Sequence, residues 1–222
     1  MTSVRAADPP AAPVAQAEAK ATDGDEKKVD PETALVDMFK KESNLTNTLG
    51  MVMVWVKEGY RVGKFEVTQS AYQELTDSNP SKFKSPSQPV ENVTWTEAVQ
   101  FCQQLTEKEQ KAGKLPKTFS YSLPTEKQWE YYVDHAKLED AITSYLGDRR
   151  HPENVGLLPA NELGLHDTRG NVFEWCSNIV ARGGSWMSYG DYIWVWFRFV
   201  GDSQQRYDDI GFRIILQEEG AK

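Results

Sequence analysis

Only two cysteines and three histidines occur among the 222 residues of this chain. Two cysteines cannot build a disulfide framework, and His135, His151 and His166 have no metal-ligand spacing. Positive charge is also in deficit: 25 Lys and Arg stand against 33 Asp and Glu, a net charge of −8. That balance argues against nucleic acid as a partner, because chains that bind it usually carry a basic patch. No apolar run reaches the roughly 18 residues of a membrane span, and the first 30 residues lack the apolar stretch of a secretory leader. Neither a Ser-His-Asp motif, a Gly-rich phosphate loop nor a pair of catalytic carboxylates stands out.

Large apolar residues are almost missing from residues 1–32, which are rich in Ala, Pro, Asp, Glu and Lys. Such a stretch cannot offset the entropy of its own ordering, so it reads as a disordered tether. A short helical lead-in over 33–45, one domain over 46–217 and a tail over 218–222 complete the expected organisation. If a leader once preceded Met1, the protein belongs at the cell surface or in the periplasm; otherwise it is cytoplasmic.

Within the domain, Leu49 to Val56 is β-rich and reads as a first core strand, with a second from Arg61 to Val67 after the turn at Gly59. Three helix starts follow. Thr68 caps a helix carrying Ala71, Tyr72 and Leu75. Thr94 and Glu97 form a capping box, after which Ala98, Phe101, Cys102 and Leu105 recur at the spacing of one buried helical face. Thr125 and Gln128 form another, followed by Trp129, Tyr132, Val133 and Ala136. Short β segments and turns make up the remainder. The fold class is α+β, with helices in the first half and irregular β structure in the second.

Six segments occur in a fixed order: KFEVTQSAYQ, SNPSKFKSPSQPVENVTWTEAVQFC, YSLPTEKQWEYY, NELGLHDTRGNVFEWCSN, RGGSW and IGFR. Together they resemble the formylglycine-generating enzyme (sulfatase-modifying factor) domain. The resemblance implies a single, loop-rich domain of the C-type lectin-like fold. It also implies what is missing. The family's oxidases hold copper on two cysteines just after the Gly-Gly-Ser-aromatic motif, and the matching positions here are Ser188 and Ile193. Cu(I) needs soft sulfur ligands, so no copper and no formylglycine-forming oxidation are expected. Cys102 and Cys176 read as buried structural thiols. The family's calcium loop around GNVFEW maps onto Asp167, Gly170, Val172 and Glu174, two carboxylates and two backbone carbonyls that suit a calcium shell. The alternative is that Asp167 and Glu174 hydrogen-bond loop amides without a metal.

From Trp186 to Phe212 the chain holds nine aromatic residues framed by glycines. This stretch is either core or an exposed contact surface. Some proteins of this lectin-like group are variable proteins of diversity-generating retroelements, in which adenines between RGGSW and GFR are randomised. Ser188, Tyr189, Tyr192, Ile193, Phe197, Phe199, Val200, Gly201, Asp202, Tyr207, Asp208 and Asp209 are all reachable from the asparagine codon AAC by changing its first two bases. Trp194 and Trp196 are reachable from AAG or AGG. Asp191, Arg198, Arg206 and Gly211 would then be fixed scaffold. On this reading residues 187–209 form a hypervariable surface for a protein or small-molecule ligand, with Tyr189, Tyr192, Trp194 and Phe199 turned outward and Trp129, Trp175 and Trp186 in the core. Trp194 and Trp196 would share one face and Val195 and Phe197 the other, so that one pair must be buried. An enzyme of other chemistry on the same fold, or an accessory protein of a larger assembly, are the competing readings.

Overall fold

The computed structural model describes residues 30–56, 59–133 and 136–220; the expected tether falls almost wholly outside them, and His135 does so entirely. Among the described residues the elements run α1 (Pro31–Phe39), β1 (Leu45–Thr46), β2 (Val52–Val56), β3 (Tyr60–Gly63), α2 (Gln69–Thr76), α3 (Trp95–Lys111), β4 (Phe119–Ser122), α4 (Glu126–Val133), β5 (Phe173–Trp175), β6 (Val180–Arg182), β7 (Phe199–Val200), β8 (Ile210–Gly211) and β9 (Ile215–Glu218). The helix starts are those the sequence marks. Thr68 Oγ1 accepts from the Ala71 amide at 3.2 Å. Thr94 and Glu97 exchange both bonds of a capping box, as do Thr125 and Gln128.

Five strands form an antiparallel sheet in the order β1-β2-β3-β9-β4. The last strand enters its middle, with Ile215 paired to Val62 on one side and to Ser122 on the other. Helices cover both faces of this sheet, which explains the unbroken apolar run VMVWV in β2. Met53, Phe119, Tyr121 and Leu216 pack with Phe101 and Leu105 of α3. Val54, Val56, Val62 and Ile215 pack with Trp129, Tyr132 and Val133 of α4. Cys102 and Cys176 are free and buried in these two clusters, and burial pushes both thiols up.

The expected second strand is shorter than Arg61–Val67. It leaves the ladder after Gly63, because the chain bends to bring Val67 between Phe212 and Val90: the Val67 amide donates to Phe212 O at 2.9 Å, and the Val90 amide donates to Val67 O at 2.8 Å. The expected division into a helical first half and a β second half is also too simple. Four of the five strands of the large sheet, β1 to β4, come before α4 and are interleaved with the first three helices. The second half supplies β9 and a smaller sheet, β7-β6-β5-β8, in which β5 and β8 run parallel.

One buried ion pair joins the two sheets. Arg213, just before β9, donates from Nε to Glu174 Oε1 on β5 at 2.8 Å, from Nη1 to Gly63 O at 2.9 Å and from Nη2 to His166 O at 2.7 Å. The second Glu174 oxygen accepts from Tyr132 Oη of α4 at 2.7 Å. Burial works against the Arg213 charge, but Glu174 and Glu66 beside it more than offset this and its pKa is raised. Removing one partner of such a pair strands a charge in the interior, at a cost of about 3–5 kcal/mol. Glu174→Ala is therefore expected to lower the midpoint of a urea melt by the equivalent of about 3–5 kcal/mol; a midpoint within experimental error of the parent would contradict this role.

Candidate functional site

The aromatic stretch starts where β6 ends, at Arg182-Gly183-Gly184. Gly184 sits at φ 79°, and a Cβ there would lie 3.1 Å from Tyr192 O, 3.5 Å from Ile193 Cα and 3.6 Å from Ser188 Cβ. Glycine is thus required both by the backbone angle and by the close approach of the returning chain. The same geometry brings Ser188 and Ile193 together on Gly184. Ser188 Oγ accepts from the Ser185 amide at 2.9 Å, and Ser185 Oγ donates to Asp209 Oδ2 at 2.8 Å. These bonds fasten the start of the stretch to its end.

Three arginines pin what lies between. Arg169 donates from Nη2 to Ile193 O at 2.8 Å. Arg182, stacked 4.8 Å over the Trp129 ring, donates to Val195 O at 2.7 Å and to both Glu126 and Glu130 of α4. Arg198 closes a two-pronged ion pair on Glu126, both contacts at 2.6 Å. With alternate carbonyls held from inside, burial alternates along the chain: Ile193, Val195, Phe197 and Phe199 turn inward, while Trp194, Trp196, Arg198 and Val200 are exposed. Val195 packs on the cluster around α4, and Phe197 and Phe199 on the other core. Before this run, Tyr189 and Tyr192 are exposed and meet edge to face, ring centroids 6.1 Å apart.

The exposed aromatic face therefore consists of Tyr189, Tyr192, Trp194 and Trp196, which are 67%, 48%, 44% and 64% exposed, with Met187 and Val200 at its margins. Several residues expected on it are elsewhere. Ser188 and Ile193 are buried, because both pack against Gly184. Asp209 is half-buried, held by Ser185, and burial raises its pKa. Phe199 is half-buried between Phe173 and Tyr207, and Phe197 lies against Phe173 and Tyr192. Tyr207 packs its ring on Trp175 and its carbonyl accepts the Asn92 amide. Asp208 pairs with Lys82, and Asp202 stays exposed, capping the Gln204 amide at 2.8 Å. Trp129, Trp175 and Trp186 are all buried. Three of the four scaffold residues are also held by clear structural constraints. Arg198 has Glu126, and Gly211 has no room for a Cβ, which would lie 2.3 Å from Val90 O. Arg206 likewise binds Glu97 and Asn92 O.

Of the residues that the calcium loop would use, Glu174 is the one already committed elsewhere. Both Glu174 oxygens already accept from Arg213 and Tyr132, and a guanidinium against the carboxylate repels a second cation. Asp167 Oδ2 accepts the Gly156 amide at 2.6 Å, while its Oδ1 is buried without a hydrogen-bond partner. The copper positions hold a hydroxyl engaged with Ser185 and an aliphatic side chain, neither a soft donor. A cavity of about 450 Å³ lies beside Lys137, Asp140, Glu162, Asp167 and Arg169; among the described residues its lining presents no serine, cysteine or histidine.

Glu126 is the residue the sequence did not single out. Its hydrogen bond from Arg198, helped by Asn178 and Arg182 and opposed by partial burial, holds its pKa at about 2 against an ordinary 4.5. A carboxylate depressed in the fold contributes stability that is present above its unfolded pKa and lost as pH falls through the folded one. Glu126→Gln is expected to lower the melting temperature by a few degrees at neutral pH, and the gap to the parent should close as pH falls from 4.5 towards 2. A gap that stays constant over this range would remove the clamp from the account.

With this geometry in place, comparison with known proteins adds the following. A family described as sulfatase-modifying factor enzyme 1-like domain matches residues 20–218. A curated relative, chaperone protein LppX of Paenibacillus barcinonensis, is 26% identical over 223 aligned residues, covering 70% of this chain and 79% of the relative. Among solved structures, variable protein 1 of Treponema denticola superposes with a TM-score of 0.61 at 25% identity, over 70% of this chain and 84% of its own. PvdO from Pseudomonas aeruginosa superposes at 0.59 with 19% identity, over 71% and 80% of the two chains, a likeness of fold alone. The α+β architecture is the C-type lectin-like fold, and the chain belongs to the sulfatase-modifying factor enzyme 1-like domain family.

Proposed function

We propose that this chain is a binding protein, and that the face formed by Tyr189, Tyr192, Trp194 and Trp196 holds its ligand. The alternation of burial from Ile193 to Val200 carries the reading. Large aromatic side chains held outward on a pinned backbone cost free energy in water and find a use only in contact with something else. Tyr and Trp offer wide contact area with few torsions to freeze. The backbone below them is fastened by Arg169, Arg182, Ser185 and the Glu126 clamp, so the face is preorganised and loses little entropy on binding. Likeness to a protein called variable protein 1 points the same way. In this reading the outward positions are those free to change between related copies, and the inward ones, Ser188, Ile193, Phe197 and Asp209, are constrained by packing. Programmed diversification by a retroelement is the source we propose for that variation; a near-copy of the coding sequence for 187–209 beside a reverse-transcriptase gene would support it, and its absence from the neighbourhood would count against it.

The binding reading is tested by panning a random dodecapeptide library on the purified chain. Truncating a central aromatic anchor typically removes about 2 kcal/mol, roughly thirtyfold in affinity. Trp194→Ala and Trp196→Ala are each expected to weaken the enriched peptides by about that factor, with melting temperature little changed because both side chains are exposed. Peptides that bind the double variant as well as the parent would place the ligand elsewhere.

A further inference from the structure

We propose that the aromatic face is selective for a cationic polypeptide, and that Asp191 is the residue that selects it; this rests on the binding reading above. Asp191 lies in a 3₁₀ turn, Gly190–Ile193, within the sequence that presents Tyr189, Tyr192 and Trp194. It is exposed, and its carboxylate makes no hydrogen bond or ion pair among the described residues. The arginines of the stretch, and Asp208, are paired with opposite charges, while Asp202 accepts the Gln204 amide. Arg198 is closed on Glu126, Arg206 on Glu97, and Lys82 covers Asp208. Arg198, Arg206 and Lys82 are thus neutralised by carboxylates, and Arg169, which spends its guanidinium on the Ile193 and Ala136 carbonyls, is buried behind the stretch, while Asp191 is left as an exposed negative charge between Tyr189 and Tyr192 in the sequence.

That combination has a defined chemistry. A carboxylate offers a guanidinium or ammonium group a charge-assisted hydrogen bond. The π-faces of Tyr and Trp attract the same group through their quadrupoles. Both features repel a carboxylate or phosphate. The chain as a whole is acidic, at −8, so its long-range field also favours approach of a basic partner. A neutral glycan would use the rings but gain nothing from the open charge. A partner that presents Arg or Lys beside an apolar side chain uses both. Asp191 has no structural bond to lose, which sets it apart from Arg198 and Arg206 and makes it a clean position to test.

Dodecapeptides selected on the parent chain are expected to be enriched in Arg and Lys over the starting library and depleted in Asp and Glu. Asp191→Asn should weaken those peptides about tenfold, and Asp191→Lys should invert the preference towards acidic peptides, with the melting temperature of both variants unchanged. Binding of the selected peptides should also weaken as salt rises. Two results would overturn the inference. Selected peptides with no excess of Arg or Lys, still lost on Trp194→Ala, would keep the binding reading and remove the charge selection. Selective capture of neutral oligosaccharides, with no basic peptide enriched, would replace the polypeptide by a glycan. Peptides insensitive to both Asp191→Asn and Trp194→Ala would instead defeat the binding reading itself.

Discussion

A single guanidinium holds the two sheets in register. Arg213 reaches Glu174 on the small sheet, Gly63 O on the large one and His166 O in the loop between, while Tyr132 ties α4 to the same carboxylate. A buried ion pair is not a large net source of stability, since desolvation cancels much of the Coulomb gain. Its consequence is geometric. A packing of the two sheets that separated Glu174 from Arg213 would leave an unpaired charge in the interior, which disfavours it. The excess of carboxylates around it has a further effect. Burial, and then Asp167, pushes the Glu66 carboxyl well above its ordinary value, and burial also raises Glu174, against which the Arg213 charge works.

This fixed frame is what allows an irregular chain to carry an aromatic surface. The stretch after β6 has little regular secondary structure to hold it. Its backbone is instead held by side chains of the frame: Arg169 and Arg182 take the carbonyls of Ile193 and Val195, and Arg198 reaches back to Glu126. Fixing two alternate carbonyls fixes the side to which each neighbouring residue points. Trp194 and Trp196 then face solvent because Val195 and Phe197 face the core. The same argument explains why positions that look interchangeable at the codon level are not interchangeable in the protein. Ser188 and Asp209 are linked through Ser185, and Ile193 is packed on Gly184.

Much of the frame was legible in the sequence, because its signals are local. Capping boxes at Thr94 and Thr125, and the stripe Ala98, Phe101, Cys102 and Leu105, depend on residues three or four apart and need no tertiary information. The ordered motifs carried the fold. Strands of two to four residues, such as β4, β7 and β8, were not legible, since so few residues cannot establish a period of two. Nor was the inward or outward sense of each residue in the aromatic stretch, although one signal was available. The resemblance placed Ser188 and Ile193 where related oxidases hold a metal, and such positions face inward. Glu126 escaped notice because its partners Asn178, Arg182 and Arg198 lie 52 to 72 residues away and nothing at that distance shows as a local pattern.

The central claim is that one short stretch is divided between a framework half and a free half. It is tested most directly by replacing Tyr189, Tyr192, Trp194, Trp196 and Val200 together with serine and measuring the guanidinium unfolding curve. The account predicts a midpoint and slope indistinguishable from the parent, beside a parallel variant with Ser188, Ile193, Phe197 and Asp209 all changed to alanine that no longer folds cooperatively. A fivefold outward variant that loses most of its stability, or an inward variant that melts like the parent, would contradict it.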